Sequence, residues 1–594
     1  MNKIKRLIEK ISFIITQVFK ASPKIGLLCT LTILIDGGLP ILQAYILKRI
    51  LFFIENYSNN FSETIFSIIS LLLIEFLAIS TQKVINNYRS ILGRIASMKI
   101  TYRMQDMILN KLKKIPFCSF DNPEFHNLYS NAQGQTNASL ANFIVNTFGI
   151  ISFVVTLVSF SIIVINYNVI CFFLIILTSL PTLFFKFGFQ GKLFELVFKD
   201  TKIQREQNYC YSLMTSPGSL REVKIFNLYS FFQQKRDSLF KEHYEHTITL
   251  TKKELSGNLF VNLFAKLGTY ISVIILIYYC LLDSIPISDF TMILTAITSI
   301  ESTLYVILEV LASNHNSLLF LDYFFNFINY PEKNFKKEYL NIKKFETLEL
   351  KQVSFRYPNT EKYLFTDFSL KITSGDMIAI VGENGSGKST LFKLFLRLYT
   401  PTQGEVLING IDIKNYSEES LYKLFSPVFQ DFTKFAATIK ENIFFGNTEV
   451  EDVEKMLRAL KITNLYDFTM NLSEQYNSPL TKLFFDNGEE LSIGQWQKIS
   501  IARSIYSNAN ILVLDEPSAA LDPETENRII EYLLSQKGKR TILIITHRLS
   551  YLKNVDRVIF FTKNDGIKIG NHNVLYKNSC EYRHYYDNQA DKYK

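Results

Sequence analysis

Six long apolar stretches precede residue 320, at about 25–47, 64–84, 143–166, 169–190, 258–282 and 288–310. Each comes near the roughly 20 residues that an α-helix needs to cross a bilayer. Backbone amides and carbonyls must pair internally in hydrocarbon, so stretches of this length and apolarity are read as spanning helices. The composition agrees, with 48% hydrophobic residues, 51 Phe and only 20% charged residues in a chain of 594. That balance excludes an ordinary soluble enzyme and suits a chain that is part membrane and part soluble. Around 313–345 the sequence turns polar and Lys-rich, as in KNFKKEYLNIKKFE. From about 346 short β-branched runs alternate with helical ones, the pattern of an α/β nucleotide domain. The expected organisation is a six-span membrane domain (1–320), a linker (321–345) and a soluble α/β domain (346–594).

Lys and Arg set the expected orientation. The connections 53–63, 166–168 and 282–290 contain neither, whereas 83–142 and 186–257 are rich in both. The short loops are therefore expected outside and the long ones inside, with both termini and the α/β domain cytoplasmic. The long connections have helical patterning, so we expect helices that continue well past the membrane. Lys48 and Arg49, near the outer end of the first span, are exceptions that would snorkel or face a polar cavity. The basic start, MNKIKRLIEKISFIITQVFK, reads either as a helix on the inner membrane face or as the beginning of the first span. The net charge of +9 fits a cytoplasmic surplus of Lys and Arg, and no basic run with interleaved aromatics points to nucleic acid. The six cysteines form no CxxC pair and are expected to be reduced. Asp36, Glu75 and Glu301 fall in apolar stretches. They would either line a cavity suited to a cationic amphipathic peptide or pair between helices, Glu301 for example with Lys266.

The second half carries the chemistry. MIAIVGENGSGKSTLFKLF (377–395) fits G-x-x-x-x-G-K-[ST] in a strand–loop–helix context. Backbone amides of the loop, from Gly382 through Glu383, Asn384, Gly385, Ser386 and Gly387 to Thr390, would cradle phosphates. Lys388 would hold the β- and γ-phosphates of ATP and Ser389 would hold Mg²⁺. In ILVLDEP (511–517) a buried strand would deliver Asp515 to the metal and leave Glu516 as general base. Tyr357 is either an adenine-stacking ring or an edge-strand aromatic. Gln430 in VFQDF, LSIGQ (491–495), SAALD ending at Asp522, and His547 after TILIIT follow in order.

Taken together these pieces resemble the nucleotide-binding domain of an ATP-binding cassette (ABC) transporter, and the six spans resemble the exporter-type membrane domain. The resemblance implies that Tyr357 stacks on adenine and that Gln430, counted with the catalytic and metal-side residues, couples the site to the membrane domain. It implies that His547 senses the γ-phosphate and that Asp522 belongs to a loop crossing the dimer. Ser492, Gly494 and Gln495 of the signature would complete the ATP site of a second copy of the chain. It also implies two inner contact helices, for which 120–133 and 216–232 are the candidates, with ordinary solvated helices as the alternative.

The signature departs from the usual phrase at Ile493, where Gly is expected. Ser492 reads as an N-cap with Gln495 completing a capping box, which makes Ile493 the first helical residue. A β-branched residue is costly only where φ is positive, so we expect an active site with extra bulk at the dimer seam; the competing reading is a degenerate site. The cassette is most similar to bacterial lantibiotic and bacteriocin peptide exporters. With a first span starting near residue 25, no N-terminal peptidase domain of the kind found in one related group is expected. The resemblance implies a homodimer in the bacterial cytoplasmic membrane that exports a peptide by alternating access, with peptide-modifying enzymes as further partners. Export of lipids or hydrophobic drugs, and an ATP-gated channel or sensor, stand as alternatives.

Overall fold

The computed structural model describes residues 12–590 apart from 14, 15, 17, 18, 21, 57–60, 135, 283–284, 333–338, 359, 519, 547, 549–551 and 563–565. It divides into two compact units, Met1–Lys114 with Pro123–Pro331, and Ile115–Asn122 with Glu332–Lys594.

The first unit is helical: α1 (Pro23–Glu55), α2 (Phe61–Leu112), α3 (Pro123–Gly134), α4 (Thr136–Tyr167), α5 (Val169–Thr215), α6 (Pro217–Ile225), α7 (Tyr229–Leu281) and α8 (Ile287–Ile328). Among the described residues six helices hold a segment long and apolar enough to cross a membrane: α1, α2, α4, α5, α7 and α8. Helices α2, α5 and α7, of 52, 47 and 53 residues, are more than twice the length a bilayer requires, so each runs well beyond an apolar span. The short helices α3 and α6 occupy the turns between long helices where 120–133 and 216–232 were singled out. Helix α8 continues to Ile328.

Local chemistry fixes the helix ends. The Asn168 side chain accepts from the Ile170 and Cys171 amides at the start of α5. Glu55, at the end of α1, accepts from Ile287 N (2.8 Å) and Ser288 N (3.2 Å) and so satisfies the first amides of α8. A buried cluster including Phe160, Val164, Ile175, Leu276, Ile293 and Ile297 joins α4, α5, α7 and α8. Large apolar side chains such as Phe66, Phe184 and Phe260 point outward, as lipid-facing residues do.

Most of the charges in the apolar stretches find partners. Arg89 meets Asp36 at 2.8 Å and Ser152 donates to the same carboxylate at 3.0 Å. Lys266 meets Glu301 at 2.9 Å. Lys48 pairs with Asp289, and Arg49 donates to the Tyr45 hydroxyl at 2.9 Å. Interhelix pairing is thus what the structure shows for Asp36 and Glu301; Glu75 has no hydrogen bond or ion pair among the described residues. Among the described residues Cys118, Cys171, Cys210, Cys280 and Cys580 form no disulfide.

The second unit holds two sheets. An antiparallel sheet has the order β2 (Phe365–Thr373), β1 (Thr347–Phe355), β4 (Gln403–Ile408), β5 (Ile411–Asp412). A six-stranded sheet has the order β10 (Ile567–Gly570), β9 (Arg557–Phe561), β3 (Met377–Gly382), β8 (Thr541–Ile545), β7 (Ile511–Asp515), β6 (Phe425–Val428). All its pairings are parallel except β9 with β10. Strands β3, β7 and β8 are buried along their whole length, which is why MIAIVG, ILVLD and TILII read as continuous apolar runs. Helix α9 (Lys388–Phe395) follows β3, and α10 (Glu418–Leu424) precedes β6. Helices α11 (Ile439–Phe444), α12 (Val453–Ile462), α13 (Tyr466–Met470) and α14 (Ile493–Tyr506) lie between β6 and β7. Helix α15 (Pro523–Gln536) follows β7, and α16 (His572–Asn578) and α17 (Cys580–Ala590) close the chain. Parallel strands present their carboxyl ends to one edge, the place where ligands bind in open α/β sheets.

Candidate functional site

Strand β3 ends at Gly382, whose φ is +147° and where a Cβ would come within 2.6 Å of the Phe561 carbonyl. Only glycine fits there, and it starts the turn that becomes the loop 382–389. Lys388 folds back over this loop, its ammonium donating to Gly382 O (2.9 Å) and Glu383 O (2.7 Å). Burial lowers the Lys388 pKa, and the charges of Glu516, Asp515 and Glu383 act against that shift. The ammonium therefore rests on two backbone carbonyls at the start of the loop.

Strand β7 delivers the carboxylates. Asp515 ends it, buried, with the Ser389 hydroxyl hydrogen-bonded to its carboxylate. Burial pushes its pKa above the ordinary aspartate range, with Glu516 adding to the effect and Ser389 and Lys388 opposing it. Glu516 follows in the left-handed region, φ +48°, a strained backbone for a non-glycine residue. It is pinned on both sides. Its amide donates to Ile545 O (3.0 Å) and its carbonyl accepts from Gln497 Nε2 (3.2 Å). Gln430 Nε2 donates to its carboxylate at 3.2 Å.

These residues share one cleft. A cavity of about 400 Å³ is lined by Tyr357, Asn384, Gly385, Gly387, Lys388, Ser389, Thr390, Gln430 and Glu516. Asp515, Ser389 and Gln430 also line an adjoining cavity of about 650 Å³. Ser389, Asp515 and Gln430 offer hard oxygen donors, a set that fits Mg²⁺. Tyr357 is half-buried at the cleft; its hydroxyl bonds Thr390 Oγ1 at 2.8 Å and its ring packs edge-on against Phe355 and Tyr399.

The signature stands apart from this cleft. Helix α14 begins at Ile493 and both halves of the capping box form: Ser492 Oγ accepts from Gln495 N at 3.2 Å and Gln495 Oε1 accepts from Ser492 N at 2.9 Å. Ile493 is 65% exposed. Gly494 lies against the Ala520 carbonyl, which a Cβ would meet at 2.6 Å. Within its own chain the bulky residue thus stands where there is room, and the glycine that remains stands where there is none. Asp522 caps α15, accepting from Thr525 N at 2.8 Å, and pairs with Lys498 at 2.7 Å. Ser492, Gly494, Gln495 and Asp522 do not line the cleft of their own chain. His547 lies outside the described residues.

Two supports escape the sequence reading. Gln497 is buried, holds the Glu516 carbonyl and accepts from Ala520 N (2.9 Å). Tyr585 on α17, its pKa raised by burial, hydrogen-bonds to the Gly382 backbone and packs on Phe560. The spacing within LSIGQWQK, which puts Gln497 one turn after Gly494 on the same helix face, was the available signal for Gln497. Nothing local marks Tyr585.

Residues 365–519 match the ABC transporter family. The subtilin transport ATP-binding protein SpaT of Bacillus subtilis is 27% identical over 552 residues, covering 93% of this chain and 89% of that protein. The chain is an ABC transporter with its membrane and ATP-binding domains fused. The nisin transport ATP-binding protein NisT of Lactococcus lactis subsp. lactis is 26% identical over 566 residues, 93% of this transporter and 92% of its relative. An ATP-bound bacterial Atm1-family ABC exporter has the same fold, with a TM-score of 0.83 over 96% of this transporter and 99% of that chain at 19% identity. The transporter is therefore a multi-pass membrane protein whose cassette binds ATP and couples its hydrolysis to transport.

Proposed function

We propose that the transporter exports a peptide of the lantibiotic or bacteriocin kind across the bacterial cytoplasmic membrane, working as a homodimer. The observation that carries the peptide reading is the likeness to the subtilin and nisin transport proteins over 93% of the chain, membrane half included. Both termini and the cassette face the cytoplasm in this reading, which the Lys and Arg of 83–142 and 186–257 support.

In the proposed ATP site Lys388 and the loop amides hold the phosphates, Tyr357 meets the adenine, and Glu516 takes the proton of the attacking water. The bond from Gln430 orients the Glu516 carboxylate. Mg²⁺, when bound through Ser389, Asp515 and Gln430, would neutralise phosphate charge. Ser492, Gly494, Gln495 and Asp522 complete the site of the second copy, which accounts for their absence from their own cleft. His547 is the proposed γ-phosphate sensor. Closure of two cassettes on ATP drives outward opening through 120–133 and 216–232, and hydrolysis resets the dimer. Residues 115–122 cluster with the cassette-bearing unit, where the Tyr399 hydroxyl donates to the Asp121 carboxylate and Phe117 packs edge-on against the Tyr399 ring at 6.1 Å.

Comparison of the peptides released by cells carrying the native chain and Glu516→Gln tests this reading. One peptide should vanish from the medium and its precursor accumulate inside in the variant. Unchanged peptides, with the protein present, would instead favour lipids, hydrophobic drugs or a sensor role.

A further inference from the structure

In the helical unit α5, α7 and α8 enclose a cavity of about 320 Å³. Its lining surface is mostly apolar, and set into it are the polar side chains of Ser179 and Thr182 from α5, Asn262 and Lys266 from α7, and Glu301 and Tyr305 from α8. Polar groups gathered among membrane-spanning helices are expensive unless paired, and they commonly mark the path of a transported molecule. The volume lies at the lower end of ligand pockets, roughly 300–1,000 Å³, and suits one side chain rather than a whole cargo.

The charges in this wall are unequal partners. The Glu301 side chain is only 11% exposed, and both contacts shown for it, Lys266 Nζ at 2.9 Å and Thr269 Oγ1 at 2.8 Å, fall on Oε2. Oε1 has no hydrogen-bond partner among the described residues. The Lys266 side chain is 56% exposed, and among the described residues that ion pair is its one contact. Of the two, the long and more exposed Lys266 side chain is the one with freedom to swing off the contact. A buried carboxylate stripped of its cation does not stay bare at small cost. Lys186, also buried, is engaged elsewhere, with its Nζ 5.1 Å from the Tyr305 ring centroid and 3.4 Å from the Tyr305 hydroxyl.

We propose that this cavity is a subsite for a cationic side chain of the cargo, an ammonium or guanidinium, with Glu301 as the recognising carboxylate and Lys266 as a resident cation that the cargo displaces. The proposal rests on the peptide reading and deepens it. Ser179, Thr182, Asn262 and Tyr305 supply oxygens for the remaining N–H groups of the incoming cation. Because Lys266 closes the ion pair between cargoes, the carboxylate is never left uncompensated in the membrane.

The test uses the full-length transporter in liposomes and reads ATPase stimulation. The probes are a synthetic amphipathic lysine-rich peptide, the same peptide with glutamine at every lysine, and a single-chain alkylammonium. In Glu301→Gln the half-saturating concentration of the lysine peptide should rise by about tenfold or more, the loss expected for one charge-assisted contact. In Lys266→Met it should fall several-fold, since the competitor is gone. The glutamine peptide should respond to neither change. Should Lys266→Met fail to fold, the neutral pair Lys266→Gln with Glu301→Gln serves, and it should lose the preference for lysine over glutamine. Equal stimulation by the lysine peptide in native and Glu301→Gln proteins would overturn the subsite and leave the peptide reading standing. Stimulation by the alkylammonium alone, dependent on Glu301, would keep the subsite and overturn the peptide reading. If no probe stimulates the native transporter, both fail.

Discussion

At the scale of single residues, the geometry of 491–498 predicts that substitution tolerance follows space and backbone rather than motif lettering. Ile493 is the exposed first residue of α14, so a glycine there is not required by φ or by contact. Ile493→Gly should change the ATPase rate of the purified transporter by less than about tenfold, under about 1.4 kcal/mol of barrier. Gly494→Ala should lower the rate more than Ile493→Gly does, because its Cβ would press on the Ala520 carbonyl at 2.6 Å. A larger effect at 493 than at 494 would contradict this reading. Asp515 makes a second case. Burial raises its pKa, so the folded chain binds a proton there more readily than the unfolded chain does. Its charged form at neutral pH works against the fold, and that contribution fades as pH falls towards the raised value. Asp515→Asn should therefore raise the thermal midpoint of the nucleotide-free protein at neutral pH. In our proposed metal role the same change should lower ATPase by about a hundredfold or more. A lower midpoint would mean that the Ser389 and Lys388 interactions outweigh the burial.

At the scale of elements, α14 is held at both ends by polar contacts that depend on residue type. Its first turn carries the reciprocal Ser492–Gln495 bonds. Further along, Arg503 reaches α11, donating from Nε to Asn442 O (2.8 Å) and from Nη2 to Asn442 Oδ1 (3.0 Å), with its pKa pushed down to about 10 by burial. Lysine cannot reproduce this fork. Arg503→Lys should cost about 2 kcal/mol in chemical denaturation, the range of a hydrogen bond to a charged group. A cost within about 0.5 kcal/mol, the usual range for an inconsequential substitution, would show that the fork contributes nothing. The spans were legible because a 20-residue apolar run has few alternatives. The capping box was legible because Ser and Gln stand three residues apart. For Glu301 the sequence offered Lys266 as one possible partner, and that pair forms, whereas for Asp36 it named none, since Arg89 lies on another helix. Only packing settles which long-range pair forms, so cavity-facing and paired readings stood level until the fold was known.

At the scale of the whole molecule, the motifs in the second half picked out residues that the fold brings to one cleft. Lys388, Ser389, Gln430 and Glu516 meet in one cavity although Glu516 stands 128 positions after Lys388. The sheet order β3-β8-β7-β6 brings them to one edge, and no local signal states that order. The placement of Tyr585 against Gly382 was illegible for the same reason. The proposed pairing of two copies gives a prediction at this scale. Lys388→Ala and Ser492→Arg chains, each inactive alone, should regain part of the ATPase rate when mixed, because one composite site of the mixed dimer is intact. No recovery would place both halves of a site in a single chain. The most direct test of the central claim is uptake of the exported peptide into inside-out membrane vesicles. The account predicts that ATP drives its accumulation with the native chain and not with Glu516→Gln. ATP hydrolysis without accumulation, or equal accumulation in both, would contradict ATP-driven peptide export.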